Sequence, residues 1–351
     1  MVEVRPDLSR MEGYHSAQVD VEVRLNTNES PLSPPPEFAA QLAEFVAGAE
    51  FHRYPDRAAS ALRASIAEFH DVSPAQVFPA NGSNEVLQSL LLAFGGPRRS
   101  ALVFEPTYAL HSHIARVTGT EVITAHRNDD FSLDSGKVAA TLREADPTLV
   151  FLCSPNNPTG VVESPEVLDA AVEASYGLVV IDEAYGQFSS WSAIDRVSDD
   201  ARVVVVRTFS KTWAMAGLRL GYAIAPAPVV DALDGVVLPY HLDIVKQAAG
   251  VIALAYKGAM QARIANIVEE RGRIVAALAE LPVEVWPSEA NFILFRPRSA
   301  DGTKVWQRMV DDSVLVRDCS SWPSLEGCLR VTVGTAEENG RFLEALAKAL
   351  Q

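Results

Sequence analysis

The stretch ARVVVVRTFSK (residues 201–211) determines how the rest of the chain is interpreted. A run of four valines ends in polar residues, the last of which is Lys211. A continuous apolar run indicates a strand that is buried on both faces, as in a parallel sheet. Lysine is among the residues least often fully buried. A lysine directly after such a strand therefore predicts a functional site at the end of the strand.

Three more apolar runs of this kind precede it, and helical patterns separate them. The runs are SALVFEP (100–106), LVFLCSP (149–155) and GLVVIDEAY (177–185). The helical patterns include NEVLQSLLLAF (84–94) and SPEVLDAAVEAS (164–175). Buried strands that alternate with helices predict an α/β fold, in which a mostly parallel mixed sheet is flanked by helices.

The alternation of apolar runs and helical patterns is absent on both sides of this region. The proline-rich segment NESPLSPPPEF (28–38) predicts an extended arm, and a helix is expected over 37–47. A long helical region (244–281), broken near 257–258, is followed by ANFILFRP, SVLVRDC, CLRVTVGT and a closing helix. We expect an N-terminal arm (1–35) that packs with the small domain, a large domain (36–240) and a small α+β domain (241–351).

Charge and cysteine content exclude several classes of partner. The formal net charge is −15, from 30 basic and 45 acidic residues, which argues against nucleic acid or an anionic membrane as a partner. No apolar run has the length of a membrane span, and the N-terminus lacks the apolar core of a signal peptide. The three cysteines have no metal-ligand spacing. We therefore expect a cytoplasmic protein without a metal.

Polar residues at the ends of the apolar runs should meet, because ligands of open parallel sheets bind beyond the carboxyl ends of the strands. Ser83 precedes a helix, and this pattern fits either a phosphate cradle or an ordinary helix cap. Asp182 ends one run, and a carboxylate there needs a cation or a protonated ring nitrogen. A desolvated Lys211 is suited to Schiff-base formation. Together, Lys211 and Asp182 predict pyridoxal phosphate (PLP) as cofactor. The sequence has neither a dinucleotide fingerprint nor a P-loop.

Six motifs resemble one known family in this order and at these separations. SPNNPTG (154–160), IDEAY (181–185) and SK followed by AGLRLGY (210–222) resemble the fold-type I PLP-dependent aminotransferases. LNTNESP (25–31), HRYPD (52–56) and LRVTVGTAEEN (329–339) are similar to the histidinol-phosphate aminotransferase branch. The resemblance implies PLP-dependent transfer of the amino group from histidinol phosphate to 2-oxoglutarate. The products would be imidazole acetol phosphate and glutamate.

The resemblance also implies a role for each matching residue. Lys211 matches the lysine that binds PLP covalently and moves the proton, and Asp182 matches the carboxylate that keeps the ring nitrogen protonated. Tyr185 and Asn157 match the pair that hydrogen-bonds the ring oxygen O3′. The other implied cofactor contacts are Tyr108, stacked on the ring, and the phosphate-binding group of Ser83, Asn84, Ser210 and Arg219.

Substrate contacts and a homodimer follow from the same resemblance. Arg330 matches the arginine that clamps the substrate carboxylate, with Asn157 nearby. Tyr14 and Arg317 match positions that hold the phosphate of histidinol phosphate. Tyr54 matches a tyrosine that reaches the PLP phosphate of the neighbouring subunit, so shared active sites are expected.

Some residues depart from the family pattern. Trp213 and Met215 are expected to enlarge the side chains near the cofactor, and Trp322 is expected near the substrate. A bulkier pocket keeps an aromatic amino acid aminotransferase open as an alternative, beside a threonine-phosphate-type PLP decarboxylase. A regulatory protein that kept the fold without turnover is a further alternative. We interpret His111 and His113 as helix-surface or partly packed residues without a catalytic role.

Overall fold

The structure, a computed structural model, describes residues 2–5, 8, 9, 11, 13 and 18–351. Twelve strands are present in this part of the chain: β1 Val23–Leu25, β2 Val77–Ala80, β3 Ser100–Glu105, β4 Glu121–His126, β5 Leu149–Cys153, β6 Leu178–Asp182, β7 Val203–Thr208, β8 Gly221–Ile224, β9 Val283–Val285, β10 Phe292–Pro297, β11 Val314–Asp318 and β12 Leu329–Thr332.

Eleven α-helices are present in the same residues: α1 Pro36–Gly48, α2 Ser60–His70, α3 Ser83–Phe94, α4 Leu110–Val117, α5 Ser135–Ala145, α6 Pro165–Ala174, α7 Ala227–Val236, α8 Ile244–Leu254, α9 Lys257–Ala279, α10 Gly302–Asp311 and α11 Ala336–Ala349. The helix expected over 37–47 is α1. The break in the long helical region falls at 255–256, between α8 and α9, two residues before its expected position.

The larger sheet has seven strands in the order β2-β8-β7-β6-β5-β3-β4. The four strands singled out from the sequence are its parallel centre, β7, β6, β5 and β3. Strand β8 runs in the opposite direction to the other six strands, so its pairings with β7 and β2 are antiparallel. Cys153 at the end of β5 pairs with Asp182, which pairs with Val206, so the carboxyl ends of these strands lie side by side.

Helices cover both faces of this sheet, which is why its central strands are continuously apolar. On one face, α3, α4 and α7 pack through residues such as Leu87, Ile114 and Val230. On the other face, α5 and α6 pack through residues such as Leu142 and Leu168. Every residue of β5 and β7 is buried. The predicted α/β fold with a mostly parallel mixed sheet is confirmed.

The smaller sheet has five strands in the order β1-β11-β12-β10-β9. Strand β1 comes from the N-terminal arm and pairs in parallel with β11, with Val23 opposite Val314. Helices α9, α10 and α11 pack on this sheet through Ile274, Met309 and Phe342. The arm thereby brings residues 26–29 from the smaller sheet to the carboxyl edge of the larger one.

Candidate active site

A cavity of about 350 Å³ lies at the carboxyl edge of the larger sheet. It brings together ten of the residues predicted from the sequence: Ser83, Asn84, Tyr108, Asn157, Asp182, Tyr185, Ser210, Lys211, Arg219 and Arg330. The arm contributes Thr27, Asn28 and Glu29 to the same cavity. Strand ends from both sheets and the arm therefore enclose one site.

Lys211 follows β7 and turns its amine toward the arm. Nζ donates to the backbone carbonyls of Asn28 at 2.7 Å and Thr27 at 3.2 Å. Burial above all, together with the charges of Arg330 and Arg219, lowers the pKa of the Lys211 amine to about 7, while Glu29 acts in the opposite direction. Because this pKa lies near neutral pH, the amine can both accept and release a proton there.

Asp182 at the end of β6 is almost fully buried and has two defined partners. Its Oδ1 accepts from the amide of Ala184 at 3.1 Å, and its Oδ2 lies 2.9 Å from His111 Nε2. An ionised carboxylate only accepts hydrogen bonds, so the imidazole donates through Nε2. These contacts fix the carboxylate at the floor of the cavity. The adjacent Glu183 instead pairs with Arg207 at 2.6 Å, outside the cavity, as the strand alternation predicts.

His111 corrects one expectation from the sequence. It is fully buried, stacks on Phe151 at 4.9 Å and packs edge-on against Tyr108 at 5.4 Å. The sequence interpretation placed it at the helix surface or in partial packing, without a role at the site. Tyr108 precedes α4 by two residues, and its carbonyl accepts from the His111 amide at 3.0 Å, so the three-residue spacing in this turn is the signal that could have revealed the contact.

An anion-binding cradle forms where α3 begins. The N-cap is Gly82 with φ of 80°, and no side chain caps the helix. The ordinary-cap interpretation therefore does not apply, and the first amides of α3, at Ser83 and Asn84, face the cavity as unpaired helix-start donors do. Arg219 Nη1 donates to Ser210 Oγ at 3.2 Å on the opposite side of the cradle.

Two glycines keep this cradle open. A Cβ at Gly82 would lie 2.8 Å from Arg219 Nη2, and a Cβ at Gly221 would lie 2.4 Å from the backbone nitrogen of Ser83. Neither contact is sterically possible without a shift of the backbone or of the guanidinium. The close approach of backbone, hydroxyl and guanidinium donors is the arrangement expected for a phosphate group.

Arg330 on β12 reaches the cavity from the smaller sheet. Its Nη1 donates to Asn157 Oδ1, and its Nη2 donates to the carbonyl of Asn26 at 3.0 Å. The guanidinium also lies over the Phe292 ring, 5.1 Å from its centroid. These contacts hold a buried cation at the end of the cavity formed by the smaller sheet.

Arg317 and Tyr54, two of the remaining predicted residues, do not line this cavity. Arg317 lies opposite Arg330 on the neighbouring strand, and its guanidinium lies 5.7 Å from the centroid of the Trp322 ring. Tyr54 is 80% exposed and stacks on Tyr240 at 4.5 Å. Tyr14 lies outside the residues that the structure describes.

The aromatic and sulfur side chains that depart from the family pattern also lie away from the cavity. Trp213 and Met215 are buried in the cluster around Phe209 and Tyr222, behind β7. Their expected position near the cofactor is therefore wrong: the chain turns after Lys211 and sends both side chains into the core. Trp322 packs at a separate small cluster on the smaller sheet and does not line the cavity.

Asn28 is the residue of the site that the sequence interpretation missed. It lies within the LNTNESP motif, but the sequence predicts no role for this residue. Its side chain donates to the Tyr185 hydroxyl at 2.9 Å, and its carbonyl accepts from Lys211. Its positive φ of 55° is a backbone conformation that asparagine adopts more readily than most residues.

Two negative findings apply to the part of the chain that the structure describes. None of the helices in those residues combines the length and the apolar character needed to cross a membrane. The same residues contain no group of three or more histidine, cysteine or acidic side chains arranged to hold a metal ion.

Comparison with known proteins identifies relatives over the whole length of the chain. A histidinol-phosphate aminotransferase from Nocardia farcinica (strain IFM 10152) is 45% identical over 352 residues, covering 97% of this chain and 90% of the relative. The enzyme of that name from Thermobifida fusca (strain YX) is 44% identical over 355 residues, covering 99% of this chain and 95% of the relative.

Solved structures share the fold. The crystal structure of histidinol-phosphate aminotransferase from Sinorhizobium meliloti in complex with pyridoxal-5'-phosphate superposes with a TM-score of 0.85 at 23% identity, covering 94% of this chain and 91% of that chain. The family model for aminotransferase class I and II matches residues 20–346. The resemblance seen in the motifs is thus confirmed, and the chain belongs to the class I and II aminotransferase family.

Proposed function

We propose that this protein is a PLP-dependent transaminase that converts histidinol phosphate and 2-oxoglutarate into imidazole acetol phosphate and glutamate, a step of histidine biosynthesis. The observation that carries the substrate assignment is the identity of 45% over nearly the full chain with a histidinol-phosphate aminotransferase. The transaminase chemistry is supported by the cavity, which combines a carboxylate, an amine of lowered pKa and two arginines.

The residues around the cavity fit PLP. The uncapped start of α3, Ser210 and Arg219 would hold the phosphate, Lys211 would bind the aldehyde, and Asp182 would face the ring nitrogen. Tyr108 would pack against the ring. When bound, PLP acts as an electron sink for the carbon that carries the amino group.

Lys211 and Asp182 supply the chemistry that this chain contributes. With a pKa near 7, Lys211 Nζ would accept the proton from the amino-bearing carbon of the substrate, hold it as an ammonium group and deliver it to bound PLP; in the second half-reaction it would move a proton in the opposite direction. A buried carboxylate is costly unless it faces a cation or a hydrogen-bond donor. The contacts of Asp182 with His111 and the Ala184 amide provide two hydrogen-bond partners and fix the orientation of the carboxylate, so that it could hold a positive charge on the ring nitrogen.

Arg330 is proposed to bind the carboxylate of glutamate and 2-oxoglutarate. Its fork of donors suits a carboxylate, and the bond to Asn157 and the contact with Phe292 fix its plane. Histidinol phosphate has no carboxylate, so its phosphate is the group that needs a cation at this end. Arg317, opposite Arg330, and Tyr14 remain our proposed ligands for that phosphate.

The aromatic aminotransferase alternative has lost the observation that favoured it. It depended on Trp213, Met215 and Trp322 narrowing the substrate pocket, and none of the three lines the cavity.

The decisive measurement compares kcat/KM for histidinol phosphate with that for phenylalanine and tyrosine, with 2-oxoglutarate as acceptor. We expect kcat/KM to be at least 100-fold higher with histidinol phosphate. This ratio corresponds to about the free energy of one hydrogen bond to a charged group plus one further contact. A preference for phenylalanine or tyrosine would refute the substrate assignment, and CO₂ release from threonine phosphate would indicate the decarboxylase.

A matched pair of arginine variants tests the two substrate contacts. In Arg330→Gln, kcat/KM should fall for both half-reactions. In Arg317→Gln, it should fall mainly for histidinol phosphate, because glutamate has no phosphate. Equal losses for both substrates in Arg317→Gln would contradict a phosphate-binding role for Arg317.

We further propose a homodimer in which Tyr54 reaches the PLP phosphate of the neighbouring subunit. Tyr54 and Tyr240 form an exposed stack. Two other exposed apolar residues are close to them in the sequence: Phe51 precedes Tyr54 by three positions, and Leu238 precedes Tyr240 by two. A pair of stacked tyrosines in water is an uncommon surface for a monomer, because interfaces rather than free surfaces are enriched in tyrosine.

Subunit mixing tests this arrangement. Lys211→Ala and Tyr54→Phe should each reduce activity, and mixed dimers should regain it in one site. That site would receive Lys211 from one subunit and Tyr54 from the other, while the second site carries both lesions. If subunit exchange is verified and activity does not recover, Tyr54 acts within its own subunit.

We also propose a division of the chain into domains and a cellular compartment for the protein. All strands of the larger sheet lie within residues 77–224, while the smaller sheet uses residues 283–332 and β1 of the arm. This supports an arm (1–35), a large domain (36–240) and a small domain (241–351). The three cysteines are free and buried, which supports a reducing compartment such as the cytoplasm.

A further inference from the structure

Asn28 connects the arm with both sheets at the centre of the site. The residue is 1% exposed, and the two partners already described, Tyr185 and Lys211, both line the cavity. The Thr332 hydroxyl, on β12 of the smaller sheet, lies 3.0 Å from the Asn28 backbone nitrogen and 3.2 Å from Oδ1. Asn291 also donates to the Asn28 carbonyl at 3.2 Å.

The backbone of Asn28 directs its carbonyl at the amine. Its φ of 55° places it in the left-handed region, where asparagine and aspartate are tolerated and most other side chains are strained. The turn presents the carbonyls of Thr27 and Asn28 to the same Lys211 amine. The backbone at this position therefore sets where Nζ lies before any substrate enters.

The side chain of Asn28 is oriented by Thr332. The Thr332 hydroxyl accepts the backbone N–H of Asn28 and donates to Oδ1. With the oxygen end of the amide occupied, the nitrogen end faces the Tyr185 hydroxyl. The orientation of the amide is thus determined by a residue that lies two positions after Arg330 on the same strand.

This orientation decides what the Tyr185 hydroxyl can do. A phenol has one hydrogen to donate and lone pairs that accept. Burial raises the pKa of Tyr185, so the hydroxyl keeps its hydrogen at neutral pH. Because the amide of Asn28 occupies an acceptor position, the hydrogen of Tyr185 is directed away from Asn28 and is available to the cavity.

We propose that Asn28 is a positioning residue of the transamination site, which makes the Tyr185 hydroxyl a hydrogen-bond donor toward the cavity and holds the Lys211 amine beside it. The inference rests on the proposed function in one respect, since the acceptor for the Tyr185 hydrogen is the ring oxygen of bound PLP. In this proposal Asn28 acts indirectly, through Tyr185 and Lys211, and does not take part in the reaction itself.

Two substitutions separate the side chain from the backbone turn. Asn28→Gly keeps the left-handed turn, and with it the carbonyl contacts to Lys211, but removes the amide donor. Asn28→Asp keeps the shape and tolerates the same φ, yet a carboxylate only accepts and therefore draws the Tyr185 hydrogen away from the cavity. A purely structural role predicts that Asn28→Gly is the more damaging change, whereas the positioning role predicts that Asn28→Asp is.

The readout is the pH midpoint of the visible absorption change of the PLP-loaded protein. A hydrogen bond from Tyr185 stabilises negative charge on the ring oxygen, so its loss should raise the midpoint by about one pH unit, the equivalent of one charged hydrogen bond. We expect this rise in Asn28→Asp and a much smaller one in Asn28→Gly. Glu29, Arg219 and Arg330 also affect the Lys211 amine, and they are unchanged in every variant.

Asn28→Asp also adds a negative charge near the site. A double-mutant cycle with Tyr185→Phe separates the effect of this charge on the midpoint from the loss of the Tyr185 hydrogen bond. A carboxylate at position 28 raises the midpoint through its charge in either background, but only the wild-type background can lose the hydrogen bond. The proposal requires that Asn28→Asp shifts the midpoint at least twofold less in the Tyr185→Phe background. Equal shifts in both backgrounds would overturn it.

A second variant keeps the proposal testable if Asn28→Asp does not fold. Thr332→Val removes the hydroxyl that orients the amide and adds no charge. It should raise the midpoint in the wild-type background and not in Tyr185→Phe, and equal shifts would again overturn the proposal. Because the spectrum needs only bound PLP, a failure of turnover on histidinol phosphate would refute the proposed function and leave this test valid.

Discussion

Replacing Lys211 with methionine is expected to stabilise the protein freed of PLP, although it removes a catalytic residue. The pKa of Lys211 is lowered from 10.5 to about 7 in the folded protein, first of all by burial. The unfolded chain therefore binds the proton more tightly than the folded one. Wild-type stability falls as the pH drops from 10.5 toward 7, and the loss is complete below 7. Methionine has no such proton.

The magnitude follows from the same two pKa values. Each pKa unit corresponds to about 1.4 kcal/mol, so the full cost of the lysine is on the order of 5 kcal/mol. Loss of the bonds to the Thr27 and Asn28 carbonyls offsets about 1–2 kcal/mol of the gain at every pH. The offset cancels in the pH dependence. Between pH 10 and pH 7 the advantage of Lys211→Met should therefore grow by about 3.5 kcal/mol.

Urea unfolding of the PLP-free proteins at pH 7, 8, 9 and 10 measures this change. Protein concentrations must match, because the stability of a dimer depends on concentration. Lys304→Met is the control, since Lys304 is an exposed lysine on α10. An advantage that stays constant from pH 7 to pH 10 would show that the amine of Lys211 has no lowered pKa, and the proposed proton transfer would lose its physical basis.

Three further predictions concern the structure that supports the site. Glu183→Gln leaves the buried Arg207 guanidinium without its ionic partner and should lower the free energy of unfolding by about 3 kcal/mol in urea titrations; no change would mean that the ion pair is dispensable. Gly221→Ala should weaken PLP binding at least tenfold in equilibrium dialysis because its Cβ collides with the first amide of α3, while Gly272→Ala on α9, where a Cβ has open space away from the cavity, serves as the control. His111→Leu removes the hydrogen bond to the carboxylate at the end of β6 and should lower kcat by about tenfold with KM little changed. A wild-type kcat in His111→Leu would contradict the inferred role of this contact.

The strands of the larger sheet and the residues at their carboxyl ends could be predicted from local patterns. Continuous apolar runs identify β5, β6 and β7, because strands covered on both faces have no polar side. The convergence of Asp182 and Lys211 follows from parallel strands, whose carboxyl ends share one edge. The chemistry of these two residues already predicts PLP, and the family motifs agree with it.

Contacts between distant segments could not be predicted in this way. The bond between His111 and Asp182 joins residues 71 positions apart, and the bond between Asn28 and Tyr185 spans 157. Periodicity describes which face of an element is buried but not which polar group meets it there. For the same reason, the sequence did not reveal that Trp213 and Met215 point into the core.

The sequence by itself therefore determined the fold class, the family and most residues of the site, because these depend on short-range patterns and on the order and spacing of residues within motifs. Only the tertiary structure decided how those residues are held. The arm strand β1 pairs with the smaller sheet and thereby carries Asn28 between Tyr185, Lys211 and Thr332. Such positioning depends on the packing of three segments in space, which no local pattern in one of them encodes.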